Sequence, residues 1–302
     1  EAAFNDLTYF QYKIARLQEA HPNKIIAGGY LEPRPLYTSE DYDIPSDQGP
    51  ISRCVHLGVD FWLPSKTPVH ALLDGTVVMA LDRKGEKEYG GFVTLEHRFS
   101  NDSFYTLYGH LDPASIAAHK VGDALKKGTL IGLLGSKENN GNWAPHLHFQ
   151  ILLDLLDYTE DFPGVQTYQS QDLWADLCPD PNQMFQLKSL KPQLKSAQKD
   201  LLDYRKKHLG KSLSLQYQEP LHIVRGHGAY LIDQNGQKYL DTVNNVAHVG
   251  HEHPRVVKAG QKQMAVLNTN TRYLHSNLNK AAKALIDTLP KGLEVVHFVN
   301  SG

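Results

Sequence analysis

Cysteine is nearly absent from this sequence: the 302 residues include two, Cys54 and Cys178, and no Cys-x-x-Cys pair. That excludes a disulfide framework and a zinc site built from cysteine alone, and it suits a reducing compartment. Long apolar runs are missing too, since stretches such as 129–134 and 151–156 fall far short of the roughly 20 residues that span a bilayer. Charge of one sign is also lacking. Lys and Arg total 31 against 33 Asp and Glu, for a formal net charge of −2, and no block of like charge stands out. Without such a patch there is no electrostatic footprint for a phosphate backbone or an anionic bilayer, so neither nucleic acid nor membrane is an expected partner. Residues 1–5 lack the basic start and apolar run of a signal peptide. A cytoplasmic piece of a longer polypeptide is the expectation.

What remains is an ordinary globular composition, 41% hydrophobic and 21% charged, sufficient for a core. At about 150 residues per domain the length predicts about two domains, and the patterning divides the chain into four segments. Residues 1–50 are a lead-in: Phe10, Ile14 and Leu17 fall at helical spacing as far as His21-Pro22, after which 27–50 is rich in Gly, Pro, Asp and Ser and suggests no chemistry. Residues 51–154 carry short alternating runs, at 75–80, 92–99 and 104–111, between turn pairs such as Asp74-Gly75 and Gly90-Gly91. That pattern predicts an all-β domain. Residues 155–218 read as a loop and an amphipathic linker helix carrying Leu190, Leu194, Leu201 and Leu202, with Pro192 in its first turn. In 219–302, runs at 229–232 and 238–243 flank Asp233-Gln234-Asn235-Gly236 as a hairpin, and helices at 255–267 and 277–288 precede a strand-like 294–299.

The chemistry concentrates in 51–154. In 55–62, His56 and Asp60 alternate with Val55, Leu57, Val59 and Phe61, and on a strand they share the face away from the apolar one. In 146–151, His146 and His148 face together, with Leu147, Phe149 and Ile151 behind. If the two strands are adjacent, imidazole and carboxylate groups surround one point, a donor set suited to a zinc ion with water in the fourth position. The strand at 104–111 ends in His110, a further candidate. Taken singly, each histidine is more often an ordinary solvated or hydrogen-bonded strand residue; the metal reading rests on their number. Cys54, two residues before His56, is either a fourth ligand or a packed thiol.

In chain order, His56-x-x-x-Asp60, Pro68-Val69-His70-Ala71, Asp74-Gly75-Thr76-Val77-Val78, Tyr108-Gly109-His110-Leu111, Lys127-Gly128, Ile131-Gly132 and His146-Leu147-His148-Phe149 resemble the lysostaphin-type zinc metallopeptidases. The resemblance implies a mainly β fold, the duplicated hybrid motif, in which an antiparallel sheet forms a groove. It also implies Zn²⁺ as cofactor, His56, Asp60 and His148 as its ligands, and His110 and His146 as catalytic histidines. One of these two would accept a proton from the attacking water while the other stabilises the oxyanion. The sequence departs from the family pattern at Ala144, where glycine is usual, and at Gln150, where glutamate is frequent.

Further on, His248, His251 and His253 lack His-Glu-x-x-His spacing, and Gly226-His227-Gly228 meets Leu231 where a dinucleotide fingerprint has its third glycine. Taken whole, 225–231, Tyr239-Leu240-Asp241, 244–251, His253-Pro254 and 267–275 resemble the start of the class III pyridoxal-phosphate aminotransferases, within them the ethanolamine-phosphate phospho-lyase branch. The resemblance implies that Ser301 and Gly302 begin the turn that binds the cofactor phosphate. It places the Schiff-base lysine and the pyridine-nitrogen aspartate further on, so this part is expected to be silent here and to use pyridoxal phosphate only in the full-length parent. The expected function is a zinc metalloendopeptidase domain of a multidomain protein, acting on a peptide or amine substrate beside further domains of the same polypeptide, with oligomerisation through the aminotransferase part. The alternative is a non-catalytic binding or scaffold module accessory to the aminotransferase or phospho-lyase.

Overall fold

The computed structural model describes residues 7–34, 36–47, 49–100, 102–190, 198–243 and 248–299. It divides into two compact units, Glu1–His251 and Glu252–Gly302. In chain order, α1 (Leu7–Ala20) precedes β1 (Ile26–Gly28), β2 (Asp43–Ile44), β3 (Ile51–Ser52), β4 (Val55–His56), β5 (Val59–Trp62) and β6 (Pro68–His70). The long strands β7 (Gly75–Arg83), β8 (Gly90–Phe99) and β9 (Asp102–Leu111) are followed by α2 (Pro113–Ile116), β10 (Ala124–Leu125), β11 (Leu130–Leu133) and β12 (His146–Leu152). Then come β13 (Val165–Gln166), α3 (Gln171–Leu177), α4 (Asn182–Phe185), α5 (Gln198–His208), and the strands β14 (Ile223–His227), β15 (Tyr230–Asp233) and β16 (Lys238–Leu240). The second unit holds α6 (Pro254–Val266) and α7 (Ser276–Ile286).

A seven-stranded sheet in the order β1-β5-β12-β9-β8-β7-β10 dominates the first unit, with antiparallel pairing throughout. The chain is thus mainly β, as the alternating runs predict. Both faces of the sheet are covered. Phe149 and Ile151 of β12 join Val77, Val93, Leu95 and Tyr108 in one cluster, and Leu152 joins Leu57, Phe92, Leu107 and Phe162 in another. Strands buried on both faces read as continuous apolar runs, which explains Phe92-Val93-Thr94-Leu95. Fully burying each of these side chains contributes about 1.5–3 kcal/mol.

Two expectations change. The expected strand 55–62 is two strands, β4 and β5, broken at Leu57-Gly58, because β4 pairs with β13 while β5 pairs with β12 and β1. Gly58 is required at the break: a Cβ there would lie 2.7 Å from both His148 Cε1 and the Phe149 carbonyl. Residues 294–299 are not a strand, since a strand needs a neighbour for its backbone groups and none pairs with them among the described residues. Among the described residues the linker helix is α5, Gln198–His208; Pro192 and Leu194 lie outside the described residues, as do 244–247, Ser301 and Gly302.

The hairpin region is joined to the peptidase-like part. Ser52 N–H donates to the Gly236 carbonyl at 3.0 Å and Lys238 N–H to that of Pro50 at 3.1 Å. The buried Lys238 ammonium sits 2.7 Å from Asp43 Oδ1 and donates to the Thr38 carbonyl at 3.2 Å. Among the described residues no helix is long and apolar enough to cross a membrane.

Candidate metal centre

Strand register assembles the centre. Asp60 of β5 lies directly opposite His148 of β12, and Trp62 opposite His146. Gly109 of β9 flanks His148 on its other side. His56 arrives from β4, brought back over the sheet by the break at Gly58. His110 would point to the opposite face by strict alternation, since its neighbour Gly109 is the partner of His148. A bulge redirects it: Gly91 pairs with Leu111 but Val93 with Tyr108, so β9 carries one residue more than β8 over that step. His110 accordingly adopts φ 64°, a left-handed conformation unfavourable for a side chain with a Cβ and of the kind held at functional sites.

Three donor atoms converge. His56 Nε2 and His148 Nδ1 are 2.8 Å apart, and each lies 3.3 Å from Asp60 Oδ1. Metal–donor bonds of about 2.0–2.1 Å set tetrahedral edges of about 3.3 Å, so two edges fit zinc directly and the third is short. The outer nitrogens fix the tautomers. His56 Nδ1–H donates to the Gly29 carbonyl at 2.9 Å, and His148 Nε2–H donates to Gln150 Oε1 at 2.9 Å. Gln150 is oriented in turn by donating through its amide to the Pro163 carbonyl at 3.2 Å. Both inner nitrogens therefore present lone pairs to each other, and Asp60 Oδ1 is buried without a well-formed hydrogen bond. Three buried lone-pair donors facing one point are mutually repulsive unless a cation stands among them, and these residues fit a metal ion.

Two further imidazoles border this triangle. His146 Nδ1–H donates to the Ala144 carbonyl at 2.7 Å and His110 Nδ1–H to the Asn140 carbonyl at 3.2 Å, leaving Nε2 of each as the acceptor. Their rings are 4.3 Å apart between centroids, and His146 Nε2 lies 3.7 Å from Asp60 Oδ1. Trp62 stacks on His146 and is itself braced by Phe10 of α1. Burial disfavours the charged imidazolium and, with Arg34 nearby, brings His56 down to about 4. Burial likewise lowers His146, and with the neighbouring His146 it holds His110 well below the ordinary range. Burial alone would raise the Asp60 carboxyl, but His56, Arg34 and His146 outweigh it and keep it well below the usual carboxylate range. These four groups are thus in the protonation states that ligands and a base require. In front of them is a cavity of about 90 Å³ whose lining includes Tyr89 and Trp143. Tyr89 Oη and Trp143 Nε1 are buried there without hydrogen-bond partners.

The lead-in 27–50, expected to carry no chemistry, supplies two groups to the centre. Gly29 orients His56, and Arg34 Nη1 donates to Asp60 Oδ2 at 2.7 Å. No sequence pattern marks them, because they reach the site through backbone pairing of an irregular segment with β4. Cys54 Sγ lies against Gly236, with its thiol pushed up to about 12 by burial, and stands apart from the three donors. His251 donates instead to Asp241, 3.0 Å away. The residues implied for pyridoxal phosphate, Ser301 and Gly302, lie outside the described residues.

The sequence profile of peptidase family M23 matches residues 54–157, and that of class-III aminotransferases matches 214–302. Among curated proteins the chain is similar to the alanine–glyoxylate aminotransferase 2-like protein of Drosophila melanogaster, at 49% identity over 34% of this chain and 21% of that protein. It is also similar to ethanolamine-phosphate phospho-lyase homolog 1 of Caenorhabditis elegans, at 38% identity over 35% of this chain and 23% of that protein. The chain therefore spans about a fifth of the length of the curated relatives it matches. Among solved structures, the catalytic domain of the antimicrobial peptidase lysostaphin from Staphylococcus simulans is similar at 30% identity, over 47% of this chain and 90% of that one, with a TM-score of 0.31. The chain thus joins a segment that matches peptidase family M23, and holds the histidine and aspartate centre, to a segment that matches the class-III aminotransferases.

Proposed function

We propose that residues 54–157 are a zinc-dependent peptide-bond hydrolase within a longer protein that also carries a class-III pyridoxal-phosphate aminotransferase. The observation that carries this reading is the triangle of buried donors, His56 Nε2, His148 Nδ1 and Asp60 Oδ1, with tautomers fixed from outside. His56, Asp60 and His148 would hold a zinc ion, which when bound would supply a Lewis acid and lower the pKa of water toward neutrality.

The protein's own residues do the rest. His146 and His110 each hold a proton on Nδ1 against a backbone carbonyl, so each Nε2 is ready to take the proton of a water attacking a peptide carbonyl. The imidazolium so formed can return that proton to the leaving amine. The unpartnered Tyr89 hydroxyl and Trp143 N–H offer donors for the substrate carbonyl or its developing oxyanion, and burial keeps the Tyr89 hydroxyl protonated. A cavity of this size, bordered by aromatic rings, admits a narrow, small-residue peptide or amine more readily than a bulky one.

Elemental mass spectrometry of the purified chain beside His56→Ala and His148→Ala variants tests the reading. About one zinc per chain in the parent, lost in both variants, supports it and justifies a screen of peptide substrates. No bound metal after incubation with zinc at neutral pH overturns it and leaves a binding module attached to an aminotransferase.

A further inference from the structure

The histidine and aspartate donors come from the strands β4, β5 and β12, but the groups that orient two of them come from the irregular stretch before these strands. Residues 29–34 run alongside β4: Leu31 N–H donates to the His56 carbonyl at 2.8 Å, His56 N–H to that of Glu32 at 3.0 Å, and Arg34 N–H to that of Cys54 at 2.7 Å. This backbone pairing fixes Gly29 and Arg34 relative to His56. Arg34 is buried, and its guanidinium divides its donors between two carboxylates, Nε to Glu32 Oε2 at 2.8 Å and Nη1 to Asp60 Oδ2 at 2.7 Å. Gly29 makes room for it, since a Cβ there would lie 2.1 Å from Arg34 Nη2 and 3.1 Å from His56 Nδ1.

The consequence falls on Asp60. A carboxylate beside a metal can bind through one oxygen or through both. Here Oδ2 is taken by Arg34, and Oδ1 alone faces His56 and His148. We infer that Arg34, locked by Glu32 and seated over Gly29, is a positioning residue that holds Asp60 to one-oxygen ligation of the metal and leaves a coordination position open for water or substrate. This rests on the zinc reading above and deepens it. Arg34 does so at an electrostatic cost, because its positive charge stands next to the one anionic ligand of a divalent cation.

That cost gives the inference a sign. If Arg34 were merely a neighbouring charge, removing it would tighten metal binding. If it positions Asp60, removing it weakens binding and changes geometry. The experiment is chelator competition for zinc on the whole chain, with visible absorption of the Co²⁺-loaded protein as a report on coordination geometry. Arg34→Met is expected to weaken zinc binding by about 10- to 100-fold, the usual effect of losing an outer partner of a ligand. Its Co²⁺ spectrum should shift toward the weaker bands of higher coordination as Asp60 turns to bind through both oxygens. Arg34→Lys, which keeps the charge but cannot reach Glu32 and Asp60 together, should fall between. Glu32→Gln is the gentler variant should Arg34→Met not fold, and it should move both readouts the same way by less. Unchanged or tighter zinc binding with an unchanged Co²⁺ spectrum overturns the role of Arg34 alone. Failure of the parent chain to bind zinc overturns the metal reading beneath it.

Discussion

His56 Nε2 and His148 Nδ1 stand 2.8 Å apart with no proton available between them, because the proton of each ring is committed on its far side, to Gly29 and to Gln150. An arrangement of this kind is held by the surrounding structure against repulsion and is relieved by a cation. The outer partners therefore determine how well the centre works.

Gln150 is the clearest case. Gln150→Leu removes the acceptor that fixes the His148 tautomer, and zinc affinity should fall about 10- to 100-fold. Gln150→Glu keeps an acceptor for Nε2–H and should stay closer to the parent. Equal affinities for Gln150→Leu and the parent chain, by chelator competition, would show that the ring is oriented by packing alone.

Acid should destabilise the metal-free protein. Burial places His56 at about 4 in the folded chain against an ordinary value of 6.5, so between those limits the unfolded chain binds a proton that the folded one refuses. Stability from this group is complete above about pH 6.5 and is lost as pH falls toward 4, on the order of 3 kcal/mol. The depressed Asp60 carboxyl acts in the same direction at lower pH. Thermal melts at pH 7.5 and 5.0 check the sign: a Tm no lower at pH 5.0 would contradict it.

Gly58 leaves no room for a methyl group. Gly58→Ala drives a Cβ to 2.7 Å from both the His148 ring and the Phe149 carbonyl, and overpacking of this type costs about 1–3 kcal/mol. We expect a Tm lower by roughly 2–12 °C, together with reduced zinc occupancy, since the displaced atoms include a ligand ring. A variant that melts and binds zinc like the parent would contradict the close packing of the break at Gly58 against β12.

In the second unit, α6 and α7 contain no buried residue, and Val266, Leu274 and Val295 are strongly exposed. Helices of this length are marginal in water without an apolar face to cover. Backbone amides of 254–286 should exchange with solvent far faster than those of β8 and β9. Protection of α6 and α7 equal to that of the sheet, measured by hydrogen exchange, would contradict this.

Much of the centre was legible because strands have a period of two. His146 and His148 are separated by one residue and backed by Leu147, Phe149 and Ile151, so their common face follows from the spacing, and the structure places them on it. His110 was a candidate from its place at the end of its strand, but its direction was not legible: alternation assigns it to the wrong face, and a bulge with positive φ leaves no distinctive signature beyond the preceding Gly109. Arg34 was invisible. Its role depends on a pairing between an irregular segment and β4 across more than twenty residues, and nothing in Glu32-Pro33-Arg34-Pro35 announces a partner. The expected strand at 294–299 failed for the complementary reason, since local β-propensity cannot supply a neighbouring strand.

The attachment of the 236–238 stretch to β3 bears on how this protein can be dissected. The family matches change between 157 and 214, and a cloning boundary would naturally be drawn there. Such a cut removes Gly236, whose carbonyl receives Ser52 N–H, and Lys238, whose ammonium neutralises the buried side of Asp43. The N-terminal fragment would then expose the edge of β3 next to Cys54, a hydrophobic thiol now covered by Gly236. Ancestry and folding thus draw the seam at different places, and a fragment that retains residues up to His251 preserves the folded unit.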